Sequence, residues 1–488
     1  MDWEELSRVR NLNHRPVAAE NRYVLYWMTA ARRTSDNFGL QRAAWWAGRL
    51  SRPLLILEAL RIDYPWASTR FHVFILQGME ANGKALAGRP VTYYPFVEAG
   101  PGRGKGLLPA LAREACLVVT DHFPCFFLPR MAEAGAKQVE VRMEAVDSCG
   151  LLPLAQPGRE FARAYDFRRH LQKHLSPFLT NLPDRDPLSA LNPALRAMIP
   201  KEIQKKWPPA SPSLLAADQK SLSALPLDQE VGPVGLVGGQ TTARRALDNF
   251  LDYGLDLYQT QARHPAALAT SGLSPYLHFG HISAHEVFLA VANREGWTPE
   301  RLSPRAKGVR QGWWGMSPGA ETFLDQLVTW RELSYNFCHY RTDYDRYSSL
   351  PAWALTTLAE HAGDERPYLY TPDQWERAQT HDRLWNAAQG QLVREGIIHN
   401  YLRMLWGKKI LHWSVSPGQA LEVMIELNNR YALDGRDPNS YSGIFWVLGR
   451  FDRAWGPERP VFGKVRFMRS ANTLRKLKLG DYLDRYGP

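Results

Sequence analysis

The chain has 488 residues, with 60 Lys and Arg against 49 Asp and Glu and a formal net charge of +11. Apolar residues make up 45%, enough for a large core, which excludes wholesale disorder. No apolar run reaches the roughly 18 residues of a membrane span. The acidic start Met1-Asp2-Trp3-Glu4-Glu5 lacks a secretory core, and Cys116, Cys125, Cys149 and Cys338 form neither a CxxC pair nor a disulfide framework, as in a reducing cytosol.

The first 150 residues alternate apolar β-rich runs with helical stretches. The runs are 23–27, 53–57, 91–94, 116–120 and 139–141; helices are read over 38–50, 69–86 and 107–114. This pattern predicts a parallel sheet covered on both faces. Ligands of such sheets sit at the carboxyl ends of the strands, although no GxGxxG follows the first strand. Residues 176–235 hold ten of the 34 prolines, so this stretch reads as a connection rather than continuous helix. From Ala243 onward apolar residues recur three or four apart, over 241–256, 284–293, 321–337, 394–413 and 417–429. The fold class is therefore α/β plus all-α: residues 1–175 a Rossmann-like parallel-sheet domain, 176–240 an inter-domain linker and 241–488 a helical domain.

Several local signals are weak. Gly100-Pro101-Gly102-Arg103-Gly104-Lys105-Gly106 fails the phosphate-loop spacing and reads as a surface loop. His281 and His285, four apart on an expected helix, lack the HExxH order and a third ligand, so they read as structural or solvent-facing and no metal is expected. No hydrolase triad stands out. The basic run Lys464 to Lys478 has six cations and no acid; it fits either a solvated helix face or a phosphate-backbone contact.

Two regions carry more. Ser271-Gly272-Leu273-Ser274-Pro275 reads as a Ser N-cap with Pro at the first helical position, a helix start that can face an anion. Between residues 385 and 446 lie many Trp, Asn and Arg. Trp406 and Trp413, seven apart, share a helix face. Arg403 falls among aromatics and needs a carboxylate if buried, for which Asp434 is available.

With these motifs the sequence resembles the photolyase/cryptochrome family, and within it the class II cyclobutane pyrimidine dimer photolyases. The resemblance runs from about residue 20 to the C-terminus. It rests on Tyr23–Met28, Asp36-Asn37, Ser271–Gly280, Trp330–Phe337, Leu384–Ala387, Lys408–Leu411 and Tyr431–Asn439. It implies an antenna domain followed by a helical domain holding FAD in its reduced form. Tyr258 and Ser271, Gly272, Leu273 and Ser274 would hold the FAD phosphates and ribityl chain. Arg403 with Asp434 and Gly435 would flank the flavin ring, Asn428 would face its N5, and Asn400 would lie at its side. Trp385, Trp406 and Trp413 match the family's electron-transfer tryptophans, with Trp406 and Trp413 as two stacked stations and Trp385 beside one of them.

The resemblance also assigns a DNA face. Trp330 and Trp446 would cradle the flipped dimer, Arg453 and Trp455 would prop open the gap, and Arg263 and Arg466 would contact phosphate. One departure stands out: Gln326 occupies the place of a family Glu one turn before Trp330, and an amide cannot deliver a proton, so Asp325 is a candidate substitute. The expected function is light-driven repair of pyrimidine dimers in double-stranded DNA, with an antenna pigment of deazaflavin or folate type. A monomer in the cytoplasm, or the nucleus of a eukaryote, without membrane attachment is expected. The alternative is a cryptochrome-like FAD photoreceptor without repair activity, against which stand the cradle tryptophans and the short segment after Lys478.

Overall fold

The computed structural model describes residue 3, residues 7–267 and residues 269–487. The acidic start at residues 1–6 lies outside them except for Trp3. Two compact units emerge: the first comprises Met1–Gly158, His174–Asp248 and Gly272–Glu300, the second Arg159–Lys173, Asn249–Ser271 and Arg301–Pro488.

The first unit is built on six strands: β1 Val9–Asn11, β2 Tyr23–Met28, β3 Leu54–Leu60, β4 Val91–Val97, β5 Ala115–His122 and β6 Met143–Asp147. Their order is β1-β6-β5-β2-β3-β4. All pairs are parallel except β1 against β6. All six β2 residues are buried, as a sheet covered on both faces requires. The run 139–141 is not a strand. The Leu128–Gln138 helix ends there, and pairing with β5 begins only at Met143; the period-2 alternation of 139–144 hid that boundary.

The order reverses between β2 and β5, where such sheets usually receive a ligand. Here the chain fills the place itself. The Asp121 carboxylate, on β5, accepts from the backbone N–H groups of Thr29, Ala30 and Ala31 at 2.7 to 2.9 Å and from the Tyr26 hydroxyl at 2.6 Å. A nest of amides that could hold an anion is thereby occupied by a side chain. His281, in the same unit, is buried, stacks on Phe74 and accepts from Gly239 N at 2.9 Å; burial lowers its imidazole to about 3. It is not helical, whereas His285 lies in the Ala284–Arg294 helix. The stretch 176–240 carries short helices (Lys201–Lys206, Pro212–Leu215, Gln219–Ser223) and is anchored by buried Ile203, Trp207, Leu222, Leu225 and Val231.

The second unit is helical. The predicted helix over 394–413 is two helices, Arg383–Glu395 and Asn400–Trp413. Gly396 ends the first with φ 68°, the left-handed cap that glycine adopts without a Cβ penalty. The helix over 321–337 is likewise interrupted: Pro318–Leu324, a π-helical turn Asp325–Trp330, then Arg331–Tyr340. Such bulges often mark functional positions. No helix among the described residues is long and apolar enough to cross a membrane, and no group of His, Cys, Asp and Glu there could hold a metal ion.

Candidate flavin pocket and DNA face

The Asn400–Trp413 and Pro417–Tyr431 helices place the central residues. Arg403 reaches across to Asp434, just beyond the second helix, with Nη2 2.8 Å from Oδ1. The turn after Tyr431 folds back on Asn428: Ala432 N donates to the Asn428 carbonyl at 2.9 Å, and a Cβ on Gly435 would lie 2.7 Å from that oxygen. Gly435 is therefore required for this close approach. Arg436 follows with φ 65°, a conformation costing of order 1 kcal/mol or more outside glycine. Its buried guanidinium compensates by capping the carbonyls of Asn429, Ala432 and Leu433.

Asn428 is buried. Its Nδ2 donates to Ser440 Oγ at 2.6 Å and to Asn429 Oδ1 at 3.2 Å, which fixes the amide and leaves Oδ1 as its remaining hydrogen-bonding atom. It is not the helix cap, a position taken by Ala432. Arg403 Nε is buried without a hydrogen-bond partner, an orphan that native proteins normally satisfy. A cation with a spare donor beside a pre-oriented amide suits a polar ring system with both donor and acceptor edges. The residues present therefore fit a flavin.

The structure places the remaining predicted cofactor residues less centrally. Tyr258 opens the short Tyr258–Gln261 helix, and burial raises its phenol well above the usual range. The next residue after that helix, Ala262, accepts from His399 at 3.1 Å, and His399 caps the helix that Asn400 begins, where Asn400 is exposed. Ser271 is half-buried in the second unit; Gly272, Leu273 and Ser274 fall in the first. The helix expected to start with a Ser N-cap instead has Leu273 at that position and Ser274 as its first residue, and it spans only Ser274–His278. One and a half turns give a weak dipole.

The tryptophans form a line, but not the expected one. Trp385 and Trp406 lie parallel, centroids 6.5 Å apart and planes at 5°. Trp385 Nε1 donates to the Trp406 carbonyl at 3.1 Å and Trp406 Nε1 to Gln389 Oε1 at 3.0 Å. Trp406 and Trp413 do not stack on one another, because seven residues of helix separate them by about 10.5 Å along the axis. Trp375 instead links Trp413 to Trp385, at 6.0 Å and 5.0 Å respectively.

On the DNA face, Ser334 and Ser442 join two helices by an Oγ–Oγ hydrogen bond of 2.5 Å. Ser334 lies one turn after Trp330 and Ser442 one turn before Trp446, so both half-buried indoles flank a single crossing. Beyond them, Asp452 organises a stack. It accepts from Arg466 Nε at 2.9 Å, Trp455 Nε1 at 3.2 Å and the Arg453 backbone N–H at 2.9 Å. Burial pushes the Asp452 carboxyl upward, but these donors outweigh it and hold the group below its ordinary range. The Arg466 guanidinium lies 3.9 Å from the Trp455 ring centroid and 5.4 Å from that of Trp446, so Arg466 packs against the rings while its side chain stays partly exposed. Arg453, over Trp455 at 4.5 Å, and Arg263 are exposed, as are Arg469, Arg475, Lys476 and Lys478. Gln326 is exposed in the π-helical turn. Asp325 cannot substitute for it: the buried carboxylate is held by Arg168 at 2.6 and 3.0 Å.

No protein-family model matches the chain. Curated relatives do. It is 32% identical to the deoxyribodipyrimidine photo-lyase of Methanothermobacter thermautotrophicus over 98% of this chain and 97% of that one. It is 34% identical to the Oryza sativa subsp. japonica enzyme of the same name, over 94% and 86% respectively. The chain belongs to the deoxyribodipyrimidine photolyase family. A solved class III photolyase from Agrobacterium tumefaciens shares the fold, with TM-score 0.66 and 18% identity over 96% of this chain and 86% of that chain. Membership makes the chain a lyase of DNA repair and a flavoprotein, as the resemblance implied.

Four residues of this arrangement escaped the sequence reading: Trp375, Ser440, Asp452 and Arg168. Trp375 had a local signal only for its helix, the Thr371–Gln374 capping box. The others act through partners 12, 14 and 157 positions away, which no local pattern announces.

Proposed function

We propose that the chain splits cyclobutane pyrimidine dimers in double-stranded DNA under light, as a class II enzyme using reduced FAD. The bound cofactor would supply an electron to the lesion and take it back, so no reductant is consumed per turnover. The observation that carries this is the buried Asn428 amide locked by Ser440 and Asn429, beside the Arg403–Asp434 pair with its spare Nε. With both of its N–H groups committed, the Asn428 amide can accept from the flavin edge through Oδ1 without adding charge, whereas Arg403 contributes a cation balanced by Asp434. Tyr258 and the 271–274 turn would hold the phosphates and ribityl chain, and Asn400 and Gly435 would line the approach. An antenna pigment of deazaflavin or folate type would belong to the first unit, and the protein would act as a monomer.

The chain's own residues do the rest. Trp330 and Trp446 would offer two indole faces to the extruded dimer, replacing stacking lost at a cost of a few kcal/mol. Arg453 and Trp455, set by Asp452, would fill the vacated gap. The exposed cations from Arg469 to Lys478, with Arg263, would meet phosphates. Trp385 and Trp406 each hold the indole proton on a neutral acceptor, a carbonyl and an amide, neither of which is a base. Positive charge on either ring would therefore stay mobile.

Gln326 favours a second reading, a photoreceptor without repair activity, because no carboxyl stands in its place. Illumination of a dimer-containing oligonucleotide with the chemically reduced protein, followed by counting restored thymines, separates the two. Restored thymines support repair; intact dimers beside a bound, light-responsive flavin support the photoreceptor.

A further inference from the structure

The parallel pair Trp385–Trp406 and the ring of Trp413 are separate islands without Trp375. Among the described residues no ring contact joins Trp413 to Trp385 or to Trp406, whereas Trp375 touches the first two of these three partners of the line: 5.0 Å and 63° to Trp385, 6.0 Å and 17° to Trp413. All four indoles are at most 2% exposed. Trp375 is also held in place by its own segment. Its short helix Pro372–Glu376 starts with a reciprocal cap in which Thr371 and Gln374 satisfy each other's backbone N–H groups, and Tyr370 packs edge-on against both Trp375 and Trp413.

We propose that Trp375 is a fourth station of the electron relay, inserted between Trp385 and Trp413, through which an oxidised flavin is reduced by light. The proposal rests on the flavin reading above. One electron moves from Trp413 to Trp375, from Trp375 to Trp385, from Trp385 to Trp406 and from Trp406 to the flavin. The vacancy left on Trp413 is filled by a dissolved thiol, which gives up one electron and its proton to solvent. Electron exchange between π systems falls steeply with the gap between ring edges. A path of ring contacts through Trp375 therefore outcompetes a jump over it.

Two variants of the flavin-loaded full chain test this, Trp375→Phe and Trp375→Tyr, the second retained if the first sheds its flavin. Blue light is applied to oxidised protein with dithiothreitol, and flavin bleaching is followed together with the transient absorption of oxidised tryptophan. Repair by dithionite-reduced protein is measured in parallel. The expected result is loss of bleaching and of the long-lived tryptophan signal, with repair by the dithionite-reduced variant unchanged. Bleaching at the wild-type rate in either variant overturns the relay, and so does an equal loss of repair in the dithionite-reduced protein, which is what a packing role alone predicts. A wild-type protein that holds no flavin sinks the functional reading instead, before either variant is compared.

Discussion

Lys408 gives the sharpest quantitative prediction. Its side chain is fully buried in the Asn400–Trp413 helix. Nζ donates to the Val447 carbonyl at 2.5 Å and lies 4.9 Å from the Trp446 ring centroid. Burial lowers its ammonium from an ordinary 10.5 to about 7; Asp452 opposes the shift and Arg466 adds to it. The unfolded amine binds its proton more tightly, so between these two values the unfolded state carries more protons and stability rises with pH. Below pH 7 both states are protonated and the folded chain bears the whole cost, roughly 5 kcal/mol at 1.36 kcal/mol per unit. Lys408→Met keeps the shape and removes that cost, less about 1 kcal/mol for the lost hydrogen bond. The variant should therefore exceed the wild type in stability most at pH 6.5 to 7, with the excess shrinking by roughly 3 kcal/mol at pH 9.5. Urea unfolding of both proteins, followed by far-UV circular dichroism across that range, measures the difference, and groups common to the two cancel. An excess that stays flat with pH would refute a buried, proton-losing Lys408.

Three further outcomes follow from the same geometry. Asn428→Asp puts a charge where Nδ2 now bonds Ser440, so reduced flavin should reoxidise readily in air; absorbance spectra showing wild-type persistence would count against the N5 assignment. Trp330→Ala should weaken binding of dimer-containing duplex by roughly 5- to 150-fold, from about 1–3 kcal/mol of stacking per base, while binding to intact DNA stays unchanged; gel-shift titration in the dark decides it. Asp325→Asn strands the buried Arg168 charge and should cost about 3–5 kcal/mol, seen as a lowered melting temperature. Recovery in the Arg168→Met, Asp325→Leu double variant separates charge burial from packing.

Much of the architecture was legible in local patterns. The apolar runs read at 23–27, 53–57, 91–94 and 116–120 overlap strands that are mostly buried on both faces and so needed no alternation to be seen. The helices 38–50 and 69–86 have the bounds their periodicity predicts. The Arg403–Asp434 pair could be anticipated because a cation among aromatics demands a carboxylate. The boundary at Gln138 and the π-helical turn at Asp325–Trp330 could not, because period alone does not report where pairing starts or where a turn widens.

The residue types of the site and their order along the chain were already present in the primary structure: an amide, a cation, a carboxylate and a set of indoles. Which atoms meet was decided only by the folded chain. Asp325 looked available until Arg168, 157 positions earlier, took its carboxylate, and two indoles on one helix face looked stacked, whereas Trp406 pairs with Trp385 and Trp413 with Trp375. Helical spacing determines direction, but contact depends on what a distant segment inserts between, and that is settled by the packing of the whole core.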